Sequence, residues 1–208
     1  GWRADLMAAN NVLAHVPDIN DFVSGFATML APEGVATFEF PHLLNMVIER
    51  QFDTAYHEHY SYLSLTAVRA IFAANGLVVF DVATTPWHGG SLRVFAARAD
   101  AQTRPVQASV DSMIATEEKA GIRTQSFYTE FQREAGKVRD DFVSYLIECH
   151  RQGLKVAAYG AAAKGNTLLN FAGIKPDLMA FVVDKNPAKQ GLYLPGSRIP
   201  IVDETRLK

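Results

Sequence analysis

Residues 155–184 read KVAAYGAAAKGNTLLNFAGIKPDLMAFVVD, a stretch in which a strand, a turn, a helix and a second strand follow one another. The apolar segments 155–159 and 178–183 have the length of buried strands, and residues 166–171 form the helix between them. Parallel sheets are built from such strand–helix–strand units. The stretch therefore predicts an α/β protein with a Rossmann-like domain over residues 153–208.

Residues 1–100 predict further strands and helices of an α/β sheet. Four apolar segments have strand length, and two helical segments lie between them, the first capped by Asp18 or Asn20 and the second by Ser64. A glycine-bearing loop joins the last two strands, which favours an antiparallel pair at the edge of a sheet. Residues 101–152 have helical spacing and mixed charges, so we expect a helical connector there. The predicted strands are 4–10, which we expect to be buried, 35–40, 77–83 and 91–98.

The composition indicates a globular cytoplasmic protein. The 208 residues are 49% hydrophobic, and 20 basic against 22 acidic residues give a net charge of -2. That balance argues against a nucleic acid or an anionic membrane as the main partner. No apolar run approaches the roughly 18 residues of a membrane span, and no signal peptide is recognisable. The single cysteine, Cys149, excludes an internal disulfide, and the start Gly1-Trp2-Arg3 is typical of a fragment.

The densest group of reactive side chains lies at residues 53–62, DTAYHEHYSY, with two imidazoles, the Glu58 carboxylate and three phenols. A strand would place His57 and His59 on one face, whereas a loop would let the whole group converge. These side chains suit proton transfer and the stabilisation of a developing oxyanion. A metal site is the least favoured alternative, because the zincin pattern spaces its histidines further apart. A third possibility is an aromatic-rich loop at a domain junction.

Three motifs occur together in this chain: residues 9–16, ANNVLAHV, residues 56–62, YHEHYSY, and residues 88–93, HGGSLR. Together they resemble the sugar C-methyltransferases, a family that resembles the class I enzymes dependent on S-adenosylmethionine. The resemblance covers nearly the whole chain. It implies methyl transfer from S-adenosylmethionine to the carbon next to the ketone of a nucleotide-linked 4-keto-deoxyhexose, after a general base has removed the proton from that carbon.

The resemblance also implies a three-part layout: an N-terminal zinc-binding region, a central methyltransferase domain and a C-terminal Rossmann-like domain. This chain has no cysteine cluster for zinc and no Gly-x-Gly loop for the methyl donor. We therefore expect residues 1–100 to supply the last four strands of the methyltransferase sheet, zinc to belong to an absent N-terminal region, and the domain at 153–208 to be truncated. The open edge of the first strand predicts a homodimer or a swapped dimer through residues 4–10.

Catalytic roles are implied at four positions. The resemblance makes His59 the base and Glu58 its neighbour, and it places Tyr56 and His15 near the ketone of the sugar. A buried carboxylate beside the imidazole would increase the basicity of His59. Without the resemblance, His15 is more typical of a structural histidine. No role carries over to His57, which we expect to face outward.

Substrate contacts are implied in two loops that follow or join strands. The resemblance places Asn11 beside both the methyl donor and the substrate. In the loop that starts at His88, two glycines allow a close approach of the backbone to a substrate, and Ser91 or Arg93 would meet the diphosphate. The alternative for this loop is a tight turn between edge strands.

The turn at residues 160–166 offers amide groups and one lysine at a helix N-terminus, which favours an anion. Within the family interpretation, Lys164 and Asn166 approach the phosphates of the nucleotide sugar, in a cleft between the domains. The alternative is a Rossmann-like domain retained for packing.

Two other functions stay open. An NAD(P)-binding oxidoreductase would use residues 160–184, where Asp184 ends the second strand as a ribose-binding acid would, but Ala162 replaces the middle glycine of the dinucleotide motif. A non-catalytic chain would only bind nucleotide sugars or pack against a partner.

Overall fold

Four strands form the sheet of the first of two units. The computed structural model describes residues 1–101 and 104–207. Unit 1 holds Gly1–Gln51 and His57–Phe131, and unit 2 holds Phe52–Tyr56 and the chain from Gln132 onward. The predicted helical connector, residues 101–152, is thus divided between the two units.

The sheet of unit 1 is mixed. Its strands are β1 (Ala4–Asn10), β2 (Leu30–Pro41), β3 (Leu77–Thr85) and β4 (Ser91–Arg98). The strand order is β1-β2-β4-β3, with β1 parallel to β2 and β4 antiparallel to both β2 and β3. The four predicted strands and the antiparallel pair at the edge of the sheet are therefore confirmed, and β3 is the edge strand.

The two helices of unit 1 for which the sequence predicts a cap begin directly after Asp18 and Ser64. The Asp18 side chain accepts a hydrogen bond from the backbone N–H of Asp21 at 2.9 Å, and Ser64 accepts one from Ala67 at 3.0 Å. Gly76, with φ of 78°, adopts the left-handed conformation expected after the second of these helices. The helices are α1 (Ile19–Met29), α2 (Leu43–Ile48), α3 (Leu65–Ala74), α4 (Ala108–Ala120) and α5 (Gln125–Arg151), which continues into unit 2.

Aromatic rings occupy the centre of the unit 1 core. Phe38 on β2 is fully buried, and its ring centroid lies 4.6 Å from that of Phe26 and 4.7 Å from that of Phe72. The rings come from a strand and from one helix on each side of it in sequence, so they join α1 and α3 to the sheet. Buried Leu30 and Leu65 belong to the same cluster.

The first strand is not the buried strand that its apolar sequence predicts. Only Ala9 of β1 is buried, and Leu6 is 67% exposed. The reason is its place at the edge, since β1 pairs with β2 alone and has no strand on its outer side among the residues described. A dimer through this edge stays a prediction.

Unit 2 contains a small parallel sheet. Its elements are β5 (Ala157–Tyr159), α6 (Ala163–Phe171), β6 (Phe181–Val183) and β7 (Ile201–Val202). The strand order is β5-β6-β7, and α6 connects the first two strands. Both predicted strands are shorter than expected, and β6 starts late because the N–H groups of Leu178 and Met179 both donate to the Lys175 carbonyl at 3.1 Å and so belong to a turn. Leu146 and Leu169 pack in the core of this unit.

No helix within residues 1–101 and 104–207 combines the length and the apolar character that a membrane crossing requires.

Candidate active site

The segment that carries His57 and His59 is a loop. Its residues have turn or irregular conformation rather than strand geometry. Two backbone N–H groups attach the loop to the turn after β1, since Tyr60 and Ser61 both donate to the Ala14 carbonyl, at 2.8 and 3.3 Å. The loop conformation therefore brings His59 next to a segment more than forty positions earlier in the chain.

His15 and His59 are in ring contact. Their ring centroids lie 4.7 Å apart with the planes at 70°, and both residues are half-buried. The centroid of the Tyr62 ring lies 6.2 Å from that of His59, and partial burial raises the pKa of Tyr62, which keeps its phenol protonated. Two imidazoles in contact can provide one proton acceptor and one hydrogen-bond donor.

Glu58 differs from its expected environment. The structure leaves its carboxylate exposed, because His57 and Glu58 form the outer turn of the loop, so it is not the buried acid that would increase the basicity of His59. His57 is exposed as well, which confirms the prediction that it faces outward.

Asn11 contacts the loop that starts at His88. Its Nδ2 lies 3.3 Å from Nε2 of His88, and its backbone N–H donates to the Glu39 carbonyl at 2.7 Å. Asn11 has φ of 55°, a left-handed conformation that asparagine tolerates better than most residues. Two residues that follow β1 thus each contact one site histidine: His15 contacts His59, and Asn11 contacts His88.

The loop at residues 88–91 is a tight turn. The Ser91 hydroxyl donates to the Trp87 carbonyl at 3.1 Å, and Ser91 is fully buried. Ser91 is therefore placed to hold the turn and not to meet a diphosphate, which favours the second interpretation of this residue. Gly90 has φ of 99°, and a Cβ there would lie 2.3 Å from Nδ2 of Asn45.

Arg93 is paired with a buried acid. Its Nε and Nη2 both donate to Oε2 of Glu39, at 3.0 and 2.6 Å. Glu39 is 5% exposed, whereas the Arg93 side chain is 42% exposed, so only the outer part of this guanidinium faces solvent. Glu39 is not among the site residues predicted from the sequence. Its signal was an acid between two phenylalanines of a core strand, which needs a cation from the neighbouring strand.

A second buried pair was also missed. Nε2 of His42, which follows β2, donates to Oε1 of Glu117 on α4 at 2.7 Å, and the two side chains are 2% and 0% exposed. Burial raises the pKa of the Glu117 carboxyl, but hydrogen bonds from His42, Thr66 and Leu65 outweigh it, so that this pKa lies below its ordinary value. An isolated histidine and glutamate 75 positions apart carry no local signal of such a pair.

The lowered pKa of Glu117 predicts a pH dependence of stability. A carboxyl whose pKa is lower in the folded than in the unfolded protein stabilises the fold above the ordinary value of 4.5, and this contribution is lost as the pH falls through the folded-state pKa. Melting temperatures measured from pH 7 to pH 2 are expected to show a constant advantage of the wild type over Glu117→Gln above pH 4.5 that shrinks in acid. Parallel curves over the whole range would contradict this assignment.

Asp184, the acid that would bind the ribose of a dinucleotide, is hydrogen-bonded to the backbone of the turn before α6. Oδ2 of Asp184 accepts from the N–H of Ala161 at 2.7 Å, and Oδ1 accepts from Asn186 at 2.8 Å. These backbone N–H groups lower the pKa of the Asp184 carboxyl, and Lys189 lies 3.4 Å from Oδ2. Both oxygens already accept hydrogen bonds that hold the turn, which counts against Asp184 as a ribose-binding acid.

Lys164 and Asn166 lie on the first turns of α6, which begins three residues earlier than predicted. Both are half-buried, and Asn166 lines a largely apolar pocket of about 290 Å³ between α5, α6 and β5.

Tyr56 belongs to unit 2, where the ring of Phe52, four residues earlier, packs with its centroid 5.1 Å from that of Phe171 on α6. His15, His59, Asn11 and His88 belong to unit 1.

Side chains that could bind a metal ion do not cluster in the part of the chain that the structure describes. No three or more histidine, cysteine, aspartate or glutamate side chains there are placed to hold an ion. The arrangement in unit 1 is suited instead to acid–base chemistry between imidazoles.

Two family descriptions match the chain. Residues 86–208, more than half of the chain, match the C-methyltransferase C-terminal domain, and residues 2–82 match a methyltransferase domain. The mixed sheet of unit 1 therefore has an α/β methyltransferase-like fold. The curated C-methyltransferase NovU of Streptomyces niveus is 40% identical over 200 residues. The alignment covers 95% of this chain and 47% of NovU, so the chain spans about half the length of this relative.

Solved structures show weaker likeness. The magnesium protoporphyrin IX methyltransferase of Synechocystis PCC 6803 with bound SAH aligns with a TM-score of 0.38 and 17% identity, over 47% of this chain and 46% of that one. The M1.HpyAVI–SAM complex aligns with a TM-score of 0.30 and 12% identity, over 49% and 47%. Likeness at this level adds nothing to the assignment, which rests on the family match. The chain belongs to the C-methyltransferase family, whose C-terminal domain matches its residues 86–208, and this confirms the resemblance that three motifs predicted.

Proposed function

We propose that this chain is the sugar-binding part of a C-methyltransferase that acts on a nucleotide-linked keto-deoxysugar. The methyl group would go to the carbon next to the ketone. The observation that carries the proposal is the convergence of three motifs at the end of β1. His59 contacts His15 there at 4.7 Å between ring centroids, and Asn11 lies 3.3 Å from His88.

The chemistry proposed for these residues is enolisation of the sugar. A neutral His59 takes the proton from the carbon next to the ketone, the electron pair of that C–H bond forms the C=C bond of the enolate, and the π pair of the carbonyl moves onto its oxygen. His15 is the proposed hydrogen-bond donor to this oxygen, and a donor that is already in position stabilises the negative charge as it develops. Glu58 is exposed and is assigned no part in the proton transfer.

S-Adenosylmethionine is the proposed methyl donor, and its chemistry is the supply of an electrophilic methyl group to the enolate carbon. Among the residues described, no strand or glycine loop pairs with the outer side of β1, and only Asn11 at its end is a candidate contact. The steps that this chain's own residues support therefore concern the sugar.

Unit 2 enters the proposal as a second, Rossmann-like domain. Its parallel sheet and the N-terminal turn of α6 support this assignment, and Lys164 and Asn166 are the proposed contacts of this turn to a phosphate group. Arg93 is a weaker candidate for a phosphate contact, because Glu39 already accepts two of its hydrogen bonds. A homodimer through β1 is part of the same proposal and would be tested by light scattering.

The test is hydrogen exchange at the carbon next to the ketone of a thymidine-diphosphate 4-keto-6-deoxyhexose, followed by NMR in deuterated water. We expect the signal of this proton to disappear faster with the protein than without it. The measurement needs no methyl donor, so it tests the sugar chemistry alone. Binding of the nucleotide sugar without faster exchange would favour a non-catalytic binding protein, and the absence of both would contradict the proposal.

A further inference from the structure

We propose that His42 and Glu117 are positioning residues that hold the two loops of the candidate site in register with the end of β2. The inference rests on the proposed function for its meaning in catalysis. Its geometry lies entirely within unit 1. Neither residue belongs to the three motifs that define the site.

The Glu117 carboxylate accepts four hydrogen bonds. Oε1 accepts from Nε2 of His42 at 2.7 Å and from the N–H of Leu65 at 2.6 Å. Oε2 accepts from the N–H and the hydroxyl of Thr66, at 2.8 and 2.5 Å. A carboxylate from α4 therefore caps the N-terminus of α3 and holds the His42 ring at the same time.

His42 in turn lies between the two site loops. Its backbone N–H donates to the Gly90 carbonyl at 3.1 Å, within the loop that carries His88. The next residue, Leu43, donates to the Leu63 carbonyl at 2.9 Å, and a parallel bridge joins His42 to Leu63 directly after the loop of His59. The His42 ring is thus the side chain that anchors the backbone to which both loops are bonded.

A stabilising role alone does not account for this pair. Apolar side chains of similar volume can replace a buried ion pair with little loss of stability, and in several proteins a buried polar group instead fixes one packing geometry. The other end of α4 has a separate anchor, in which the Ser109 hydroxyl donates to Asp81 on β3 at 2.5 Å. This second anchor contacts neither site loop, which makes Ser109→Ala a matched control.

The first test compares histidine ring signals by NMR in the wild type, Glu117→Gln and Ser109→Ala, each checked for folding by its melting temperature. We expect Glu117→Gln to shift or broaden the signals of His15, His59 and His88. The exposed His150, which lies outside both loops, serves as an internal reference, and its signal is expected to keep its position. Unchanged site signals in a folded Glu117→Gln variant would overturn the proposal, as would equal changes in Ser109→Ala.

A second test separates positioning from binding and from bulk stability. We expect Glu117→Gln to slow the hydrogen exchange of the keto sugar by roughly ten- to a hundred-fold, since small misplacements of reacting groups have effects of this size, while the Kd for the nucleotide sugar changes less than two-fold. His42→Gln, which keeps an N–H donor, is expected to retain more exchange than His42→Leu, and equal losses would argue against positioning. If the wild type shows no exchange, the proposed function fails, and the ring signals still decide the positioning role.

Discussion

His59→Ala is expected to slow hydrogen exchange at the carbon next to the ketone by about 10²–10⁴-fold, the usual contribution of a general base. The half-buried His59 is the imidazole of the Tyr-His-Glu-His loop that contacts a second site residue, with its ring 4.7 Å from His15. The rate is measured by NMR in deuterated water, and the Kd of the nucleotide sugar is measured in parallel by titration. We expect binding to change little, because the base acts on the proton and not on the nucleotide.

His57→Ala is the matched control for this experiment. It removes the same side chain two positions earlier in the same loop, but from an exposed residue. Exchange is expected to stay near the wild-type rate in this variant. Full activity of His59→Ala would move the base to another residue, with His15 as the first candidate. An equal loss in both variants would indicate disruption of the loop rather than removal of a base.

Phe38→Ala is expected to lower the free energy of unfolding of unit 1 by about 3–5 kcal/mol, the usual loss when a buried phenylalanine is truncated. The side chain is fully buried, and its ring centroid lies 4.6 and 4.7 Å from those of Phe26 and Phe72. Its removal leaves a cavity at the point where α1 and α3 meet the sheet. Urea unfolding followed by NMR signals of unit 1 measures the loss.

Phe22→Ala provides the comparison for the core. Its ring also contacts Phe26, at 5.2 Å between centroids, but the residue is only half-buried at the margin of the cluster. We expect the loss for Phe22→Ala to be about half that for Phe38→Ala or less, because less apolar area returns to water. Equal losses at the two positions would show that the centre of the core is not where the structure places it.

Local patterns in the sequence determined the elements and much of the candidate site. The caps at Asp18 and Ser64 form as predicted, and so do the four strands of unit 1, because capping and apolar periodicity depend on residues within one or two turns of each other. The motifs named Asn11, His15, His59 and His88 as site residues. The structure places them in two contacting pairs.

Only the tertiary structure decided which polar groups are already engaged and which segments are covered. Glu117 and His42 are 75 positions apart, and Glu39 and Arg93 are 54 positions apart, so the partner of each buried charge becomes known only when strands and helices pack. The same holds for β1, whose apolar sequence predicts burial although its place at the sheet edge leaves most of it exposed. Burial and pairing depend on neighbours that are remote in the chain, and a local pattern carries no information about such neighbours.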